Sequence, residues 1–253
     1  MNRRIVAYGP GPDQHAELFT PEGACQLRVV VVIHGGFWRA RWTRELMDDV
    51  CADLAAHGYA AWNVEYRRIG PTSGGGWPAT FLDVAASIDF LADVDAPLDL
   101  GDVAALGHSA GGHLALWAAS RPGLPPDAPG AAPQVRVSAA VAQAGVVDLR
   151  EAFRLGLGSG AAAELLGGSP RRHPGRYHLA SPVERLPLGV PQLLVHGETD
   201  DTVPASMSQS YHAGAVRAGD DVELAVLPGV GHFEHLDPGS QAWRVAIDWL
   251  ARR

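Results

Sequence analysis

Val103-Ala104-Ala105-Leu106-Gly107-His108-Ser109-Ala110-Gly111-Gly112 is the stretch that decides the fold. A short run of buried-type residues enters a Gly-x-Ser-x-Gly turn and leaves as a helical run, Gly111 to Ala119. Strand, sharp turn and helix in that order expose a serine hydroxyl at the carboxyl end of a sheet, with helix N–H groups beneath it. The flanking glycines fit the demand, because neighbouring backbone must pass close to a residue held in a strained turn. Ser109 is therefore the candidate nucleophile.

Outward from this turn, apolar runs alternate with longer stretches of helical period. Strands are expected at Leu27 to Ile33, Tyr59 to Val64, Val103 to Leu106, Val137 to Ala142, Gln192 to Val195 and Val222 to Val226. Helices are expected at Thr43 to Ala56, Phe81 to Leu91, Gly111 to Ala119, Ser206 to Ala218 and Gln241 to Ala251. This alternation implies an α/β class with a mostly parallel sheet and helices on both faces. Residues before Leu27 read as one or two antiparallel edge strands. Two stretches break the rhythm, Gly70 to Pro78 and Leu149 to Pro191; the longer one, 149–191, is expected to be a lid or pocket wall on a single domain spanning 1–253.

Three further motifs follow predicted strands. His34-Gly35-Gly36-Phe37-Trp38 comes directly after the first of the six, where backbone amides of Gly36 and Phe37, with that of Ala110, would meet a developing oxyanion while Gly35 shapes the turn. His196-Gly197-Glu198-Thr199-Asp200-Asp201 places two acids just past a strand end; the spacing favours Asp200 as the triad carboxylate, with Asp201 expected to cap the next helix and Asp148 as an outside candidate. Gly231-His232-Phe233 lies before the last helix, so His232 is the expected base, with His235 its rival on the same loop. Phe37, Trp38, Tyr66 and Trp77 fall on loops at strand carboxyl ends; Trp38, Tyr66 and Trp77 are expected to contact substrate.

Composition narrows the chemistry. With 47% hydrophobic and 19% charged residues the chain can bury a full core, and a formal charge of −8 disfavours nucleic acid and anionic membranes as partners. No lysine occurs, which excludes Schiff-base, serine/lysine and P-loop mechanisms. Two cysteines in no paired motif suggest free thiols, and the N-terminus lacks a signal-like apolar run, so a cytoplasmic protein is expected. His232, Glu234, His235 and Asp237 lack the third anchored ligand of a zinc motif, so no metal is expected.

These motifs, in this order from about Leu27 to the C-terminus, resemble the α/β-hydrolase superfamily, and within it the esterase and kynurenine formamidase branch with His-Gly-Gly-[Phe/Tyr]-Trp in the oxyanion loop. Glu65-Tyr66-Arg67 resembles the Asp-Tyr-Arg segment that this branch shares with hormone-sensitive-lipase-like esterases. The resemblance implies an eight-stranded sheet, no cofactor, and triad roles for Ser109, Asp200 and His232. Expected activity is hydrolysis of small-acyl esters or amides through an acyl-enzyme, with arylformamidase as the alternative. Peptidase or acyl-transferase use of the same triad stays open, as does a non-catalytic binding protein.

Overall fold

The computed structural model describes residues 1–23 and 25–253. Eight strands form one sheet in the order β1-β2-β4-β3-β5-β6-β7-β8. β1 (Asn2–Ala7) and β2 (His15–Thr20) are the antiparallel edge pair, and β2 also runs antiparallel to β4 (Ala60–Val64). From β4 onward every pairing is parallel: β3 (Leu27–Ile33), β5 (Leu98–His108), β6 (Ala139–Gln143), β7 (Gln192–Gly197) and β8 (Val222–Leu227).

The burial of β3, β4, β6 and β7 on both faces explains their continuous apolar runs, because helices cover each side. One layer packs α1 (Asp48–Ala56) and α8 (Gln241–Ala251) against Val30, Val32, Leu106 and Val195. The other packs α2 (Ala79–Asp89), α3 (Ala110–Ser120) and α7 (Ala205–Ala218) against Val29, Val31, Ala105 and Leu194. α3 is buried along its whole length, which accounts for its apolar composition on every face.

Expected elements shift mainly at their ends. The helix expected from Thr43 opens as a 3₁₀ turn, Arg44–Met47, before α1. β5 begins five residues earlier than its apolar core, and those first residues are only partly buried, as at Asp99 and Asp102, or exposed, as at Gly101. Between β6 and β7 the chain forms α4 (Leu149–Leu155), α5 (Leu157–Leu166) and α6 (Pro174–Ala180). α5 opens through left-handed Gly158, Ser159 and Gly160, so its first turn is not α-helical. This insertion is tied back to the sheet's carboxyl end: Arg39 pairs with Glu164 at 3.0 Å, and the Trp77 N–H donates to the Leu165 carbonyl at 2.7 Å. Among the described residues no helix is long and apolar enough to cross a membrane.

Candidate active site

Ser109 sits between β5 and α3 with φ 57° and ψ −117°, a conformation that costs a non-glycine residue on the order of 1–3 kcal/mol. The turn is held from several sides. The Ser109 N–H donates to the Gln143 carbonyl at 2.7 Å, a Cβ on Gly107 would strike the Gly111 carbonyl, and one on Gly111 would strike the Ile33 carbonyl. Only glycine fits at those two places, and only a rigid frame keeps Ser109 strained.

The loop after β3 comes down beside it. Gly36, Phe37 and Trp38 have φ of 101°, 51° and 57°, three consecutive left-handed residues. Two of these are bulky and non-glycine, which marks a built feature rather than a relaxed turn. Gly35 is small for another reason: a Cβ there would lie 2.8 Å from the His108 carbonyl and 3.0 Å from the Ser109 Cβ. Among the described residues no protein acceptor takes the amide hydrogens of Gly36, Phe37 or Ala110, so all three donors are available to a ligand.

His232, 5% exposed, reaches the same place from the loop after β8. Its Nδ1–H donates to Asp200 Oδ2 at 2.7 Å, and its carbonyl accepts from His108 Nε2 at 2.8 Å, so the residue before the serine grips the main chain of the histidine. Asp200 spends its other oxygen, Oδ1, on the backbone N–H groups of Thr202 and Val203, each at 2.8 Å. Burial alone would raise the Asp200 carboxyl; the contacts from His196, His232 and Val203 N–H outweigh it and hold it well below the usual carboxylate range. Nε2 of His232 is thereby left as an acceptor facing the cleft. No hydrogen bond joins it to the Ser109 hydroxyl, although both line one cavity.

The rival residues go elsewhere. Asp201 does not cap α7, because the cap position falls on Pro204, which has no side-chain cap; among the described residues the Asp201 carboxylate accepts a hydrogen bond from the Thr202 hydroxyl alone. Asp148 is the N-cap of α4, accepting from Arg150 and Glu151 N–H. His235 is fully buried, and burial with neighbouring His196 and His232 pushes it down to about 3, leaving it neutral. Among the described residues no group of three or more His, Cys, Asp or Glu could hold a metal ion.

The cavity between Ser109 and His232 measures about 150 Å³. Its walls correct the expected substrate contacts. Trp38 is fully buried and donates through Nε1 to His113 Nδ1 at 3.2 Å; Tyr66 is fully buried, stacked on His34, with its hydroxyl donating to the His34 carbonyl. Both are core residues, since the left-handed turn at Phe37 and Trp38 sends the indole inward. Trp77 packs edge-on against Phe81 at 5.1 Å under the insertion, away from the cavity. The walls are instead Phe37, Trp42, Leu46, Thr202 and Phe233. Sequence reading missed Trp42 and Leu46, which follow the glycine loop by a few residues, and passed over Phe233 beside His232. Larger depressions exist, including one of about 350 Å³ beside Arg3 and Arg4, but it contains no serine or histidine.

A mostly parallel eight-stranded sheet, a serine elbow between β5 and α3, open amides after β3 and a histidine–aspartate pair after β8 and β7 together define the α/β-hydrolase class. More narrowly, the chain belongs to the BD-FAE family, whose model matches residues 17–214. It is 29% identical to the esterase LipC of Mycobacterium tuberculosis over 252 residues, 94% of this chain and 61% of LipC. It is 28% identical to the esterase LipQ of the same organism, over 90% of this chain and 56% of LipQ; the chain thus spans about three fifths of these relatives. Among solved structures, a truncated carbohydrate esterase from gut microbiota superposes with a TM-score of 0.86 at 23% identity, covering 100% of this chain and 96% of that one. These structural likenesses establish the fold.

Proposed function

We propose that the chain is a serine carboxylesterase acting on short acyl groups, with Ser109 as nucleophile, His232 as base and Asp200 as its partner. The observation that carries this is the cavity of about 150 Å³ shared by Ser109 and His232; ligand pockets for drug-sized molecules run roughly 300–1,000 Å³, so this one suits a small acyl group. The family membership and the esterase descriptions of LipC and LipQ support the reaction type.

In the proposed cycle the Ser109 Oγ attacks the ester carbonyl as its proton passes to His232 Nε2. The amides of Gly36, Phe37 and Ala110 take the oxyanion, each such donor being worth about 3–4 kcal/mol. The tetrahedral adduct expels the alcohol, which leaves with the proton from His232, and an acyl-Ser109 remains. Water then gives its proton to His232 and its oxygen to the acyl carbon, freeing the acid and restoring Ser109. Catalytic hydrogen bonds of this kind often tighten only in the complex with substrate, so the Ser109–His232 contact forms as the ester enters. Residues 149–191 reach this site through Phe37, whose ring lies against Gly158.

A second reading, an arylformamidase, draws on the aromatic walls Phe37, Trp42 and Phe233, which suit an aryl leaving group beside the smallest acyl group. One panel tests both: kcat/KM for p-nitrophenyl acetate, butyrate, octanoate and palmitate, and for N-formylkynurenine. The expected maximum is at acetate or butyrate. A maximum at octanoate or beyond refutes the short-acyl reading, and N-formylkynurenine ahead of every ester moves the chain to the second.

A further inference from the structure

His34 ends β3's loop junction immediately before the open amides and is fully buried. Both of its ring nitrogens meet acceptors. Nε2 lies 3.0 Å from Glu65 Oε1, and Nδ1 lies 2.8 Å from the Gly35 carbonyl oxygen. A neutral imidazole carries one N–H and can satisfy only one of them.

The neighbouring histidines each close with a single proton. His113 accepts from Trp38 Nε1 at Nδ1 and donates from Nε2 to the Ala180 carbonyl. His196 faces the Ser208 hydroxyl at Nδ1 and the Val203 carbonyl at Nε2. His232 gives Nδ1–H to Asp200 and keeps Nε2 as an acceptor. Among the described residues His34 is alone in having an acceptor at each nitrogen.

The second proton has one other place to sit, the Glu65 carboxyl. The other neighbours of that carboxyl are two donors and a positive charge: Arg44 N–H to Oε2 at 3.0 Å, Tyr66 N–H to Oε1 at 3.0 Å, and Arg68 Nε as an ion-pair partner 3.3 Å from Oε1, outside hydrogen-bond geometry. Burial alone would raise Glu65, but the His34 contact and the Arg68 charge hold it below its ordinary value. Charge counting agrees. Arg68 is shared between Asp13, at 2.7 Å, and Glu65, while the Arg44 side chain is committed to Glu17 and Asp48. Two buried or half-buried carboxylates thus share one guanidinium unless His34 is also positive. The Tyr66 ring lies parallel to His34 at 4.4 Å, offering a π face to a cation. His108, the titratable group on the other side of Gly35, is driven down by burial and the nearby His232 and His235, and so adds no positive charge.

We propose that His34 is a buried imidazolium paired with Glu65, and that its second N–H, bonded to the Gly35 carbonyl, positions the Gly36 and Phe37 amides against Ser109. His34 and Glu65 are positioning residues. The fixed positive charge behind the loop also favours the oxyanion, a role that rests on the esterase reading above; the protonation itself does not.

The test uses the whole chain labelled with 15N-histidine. At about pH 7.5, where a free histidine is neutral, NMR is expected to show directly bonded protons on both nitrogens of one buried ring, assigned to His34 by its change in Glu65→Gln. In Glu65→Gln that ring is expected to carry one N–H, with kcat for p-nitrophenyl acetate down about tenfold, less than the 10²–10³ for deleting a donor, and KM little moved. Glu65→Asp, which keeps the charge, restores the second N–H and most of kcat. Singly protonated buried rings throughout in the wild-type chain overturn the proposal even if ester turnover is normal. Wild-type kcat in Glu65→Gln overturns the positioning role. A doubly protonated ring in a chain with no ester turnover supports the imidazolium and removes the esterase reading. Should Glu65→Gln fail to fold, the wild-type spectrum decides, with Glu65→Asp for assignment.

Discussion

Asp200 holds His232 through one carboxylate oxygen alone, Oδ2 to Nδ1 at 2.7 Å, while its other oxygen is anchored to the backbone of Thr202 and Val203. The imidazole is thereby aimed by a group that is itself fixed to main chain. Asp200→Asn keeps the shape but replaces an oxygen with an amide donor and reverses the tautomer, so kcat is expected to fall about 10⁴-fold. Asp201→Asn, at an exposed carboxylate that touches only Thr202, is expected to change kcat less than about twofold. Steady-state kinetics of the two variants side by side is the check, and the reverse ranking transfers the role.

The two tryptophans near the glycine loop separate in the same way. Trp42, 36% exposed, covers Gly36 and walls the cavity. Trp42→Ala is expected to enlarge the acyl site and move the best p-nitrophenyl ester toward longer chains. Trp38→Phe leaves the cavity unchanged but strips His113 Nδ1 of its donor, costing roughly 1–3 kcal/mol of stability. Chain-length profiles and urea midpoints on both variants test this, and a changed chain-length profile in Trp38→Phe with none in Trp42→Ala contradicts the assignment of walls.

Stability should fall with acid on account of one buried histidine. Burial pushes His113 down to about 4 in the folded chain, against roughly 6.5 when unfolded. A depressed folded value means that the unfolded chain binds the proton first, so the stabilisation is complete above about pH 6.5 and is lost as pH falls toward 4, about 3 kcal/mol in all. Urea denaturation at pH 7, 6 and 5 should show it, with a shallower decline in His113→Gln. Stability that is flat or rising from pH 7 to 5 contradicts this reading.

What was legible in the sequence is what local sterics write there. The Gly107-x-Ser109-x-Gly111 turn needs small residues because backbone passes within contact distance, and that demand is visible without any fold. The same holds for Gly35 and Gly36 and for the strands buried on both faces. What faces the cavity was not legible, because it depends on which way a loop side chain turns. Trp38 and Tyr66 looked like pocket walls by position, yet left-handed backbone and a stacking partner take them into the core, while Trp42 and Phe233 turn outward. Asp201 is no cap because α7 begins only at Ala205, behind Pro204, a helix start that depends on the loop path rather than on the acid itself.

Phe37 offers its amide from a left-handed conformation, and its ring rests on Gly158, where a Cβ would sit 2.5 Å from it. The residue against that ring belongs to the insertion between β6 and β7, not to the sheet. A side chain at position 158 would therefore have to push the ring of Phe37 aside, so that one residue in the insertion bears on the placement of a main-chain amide in the loop after β3.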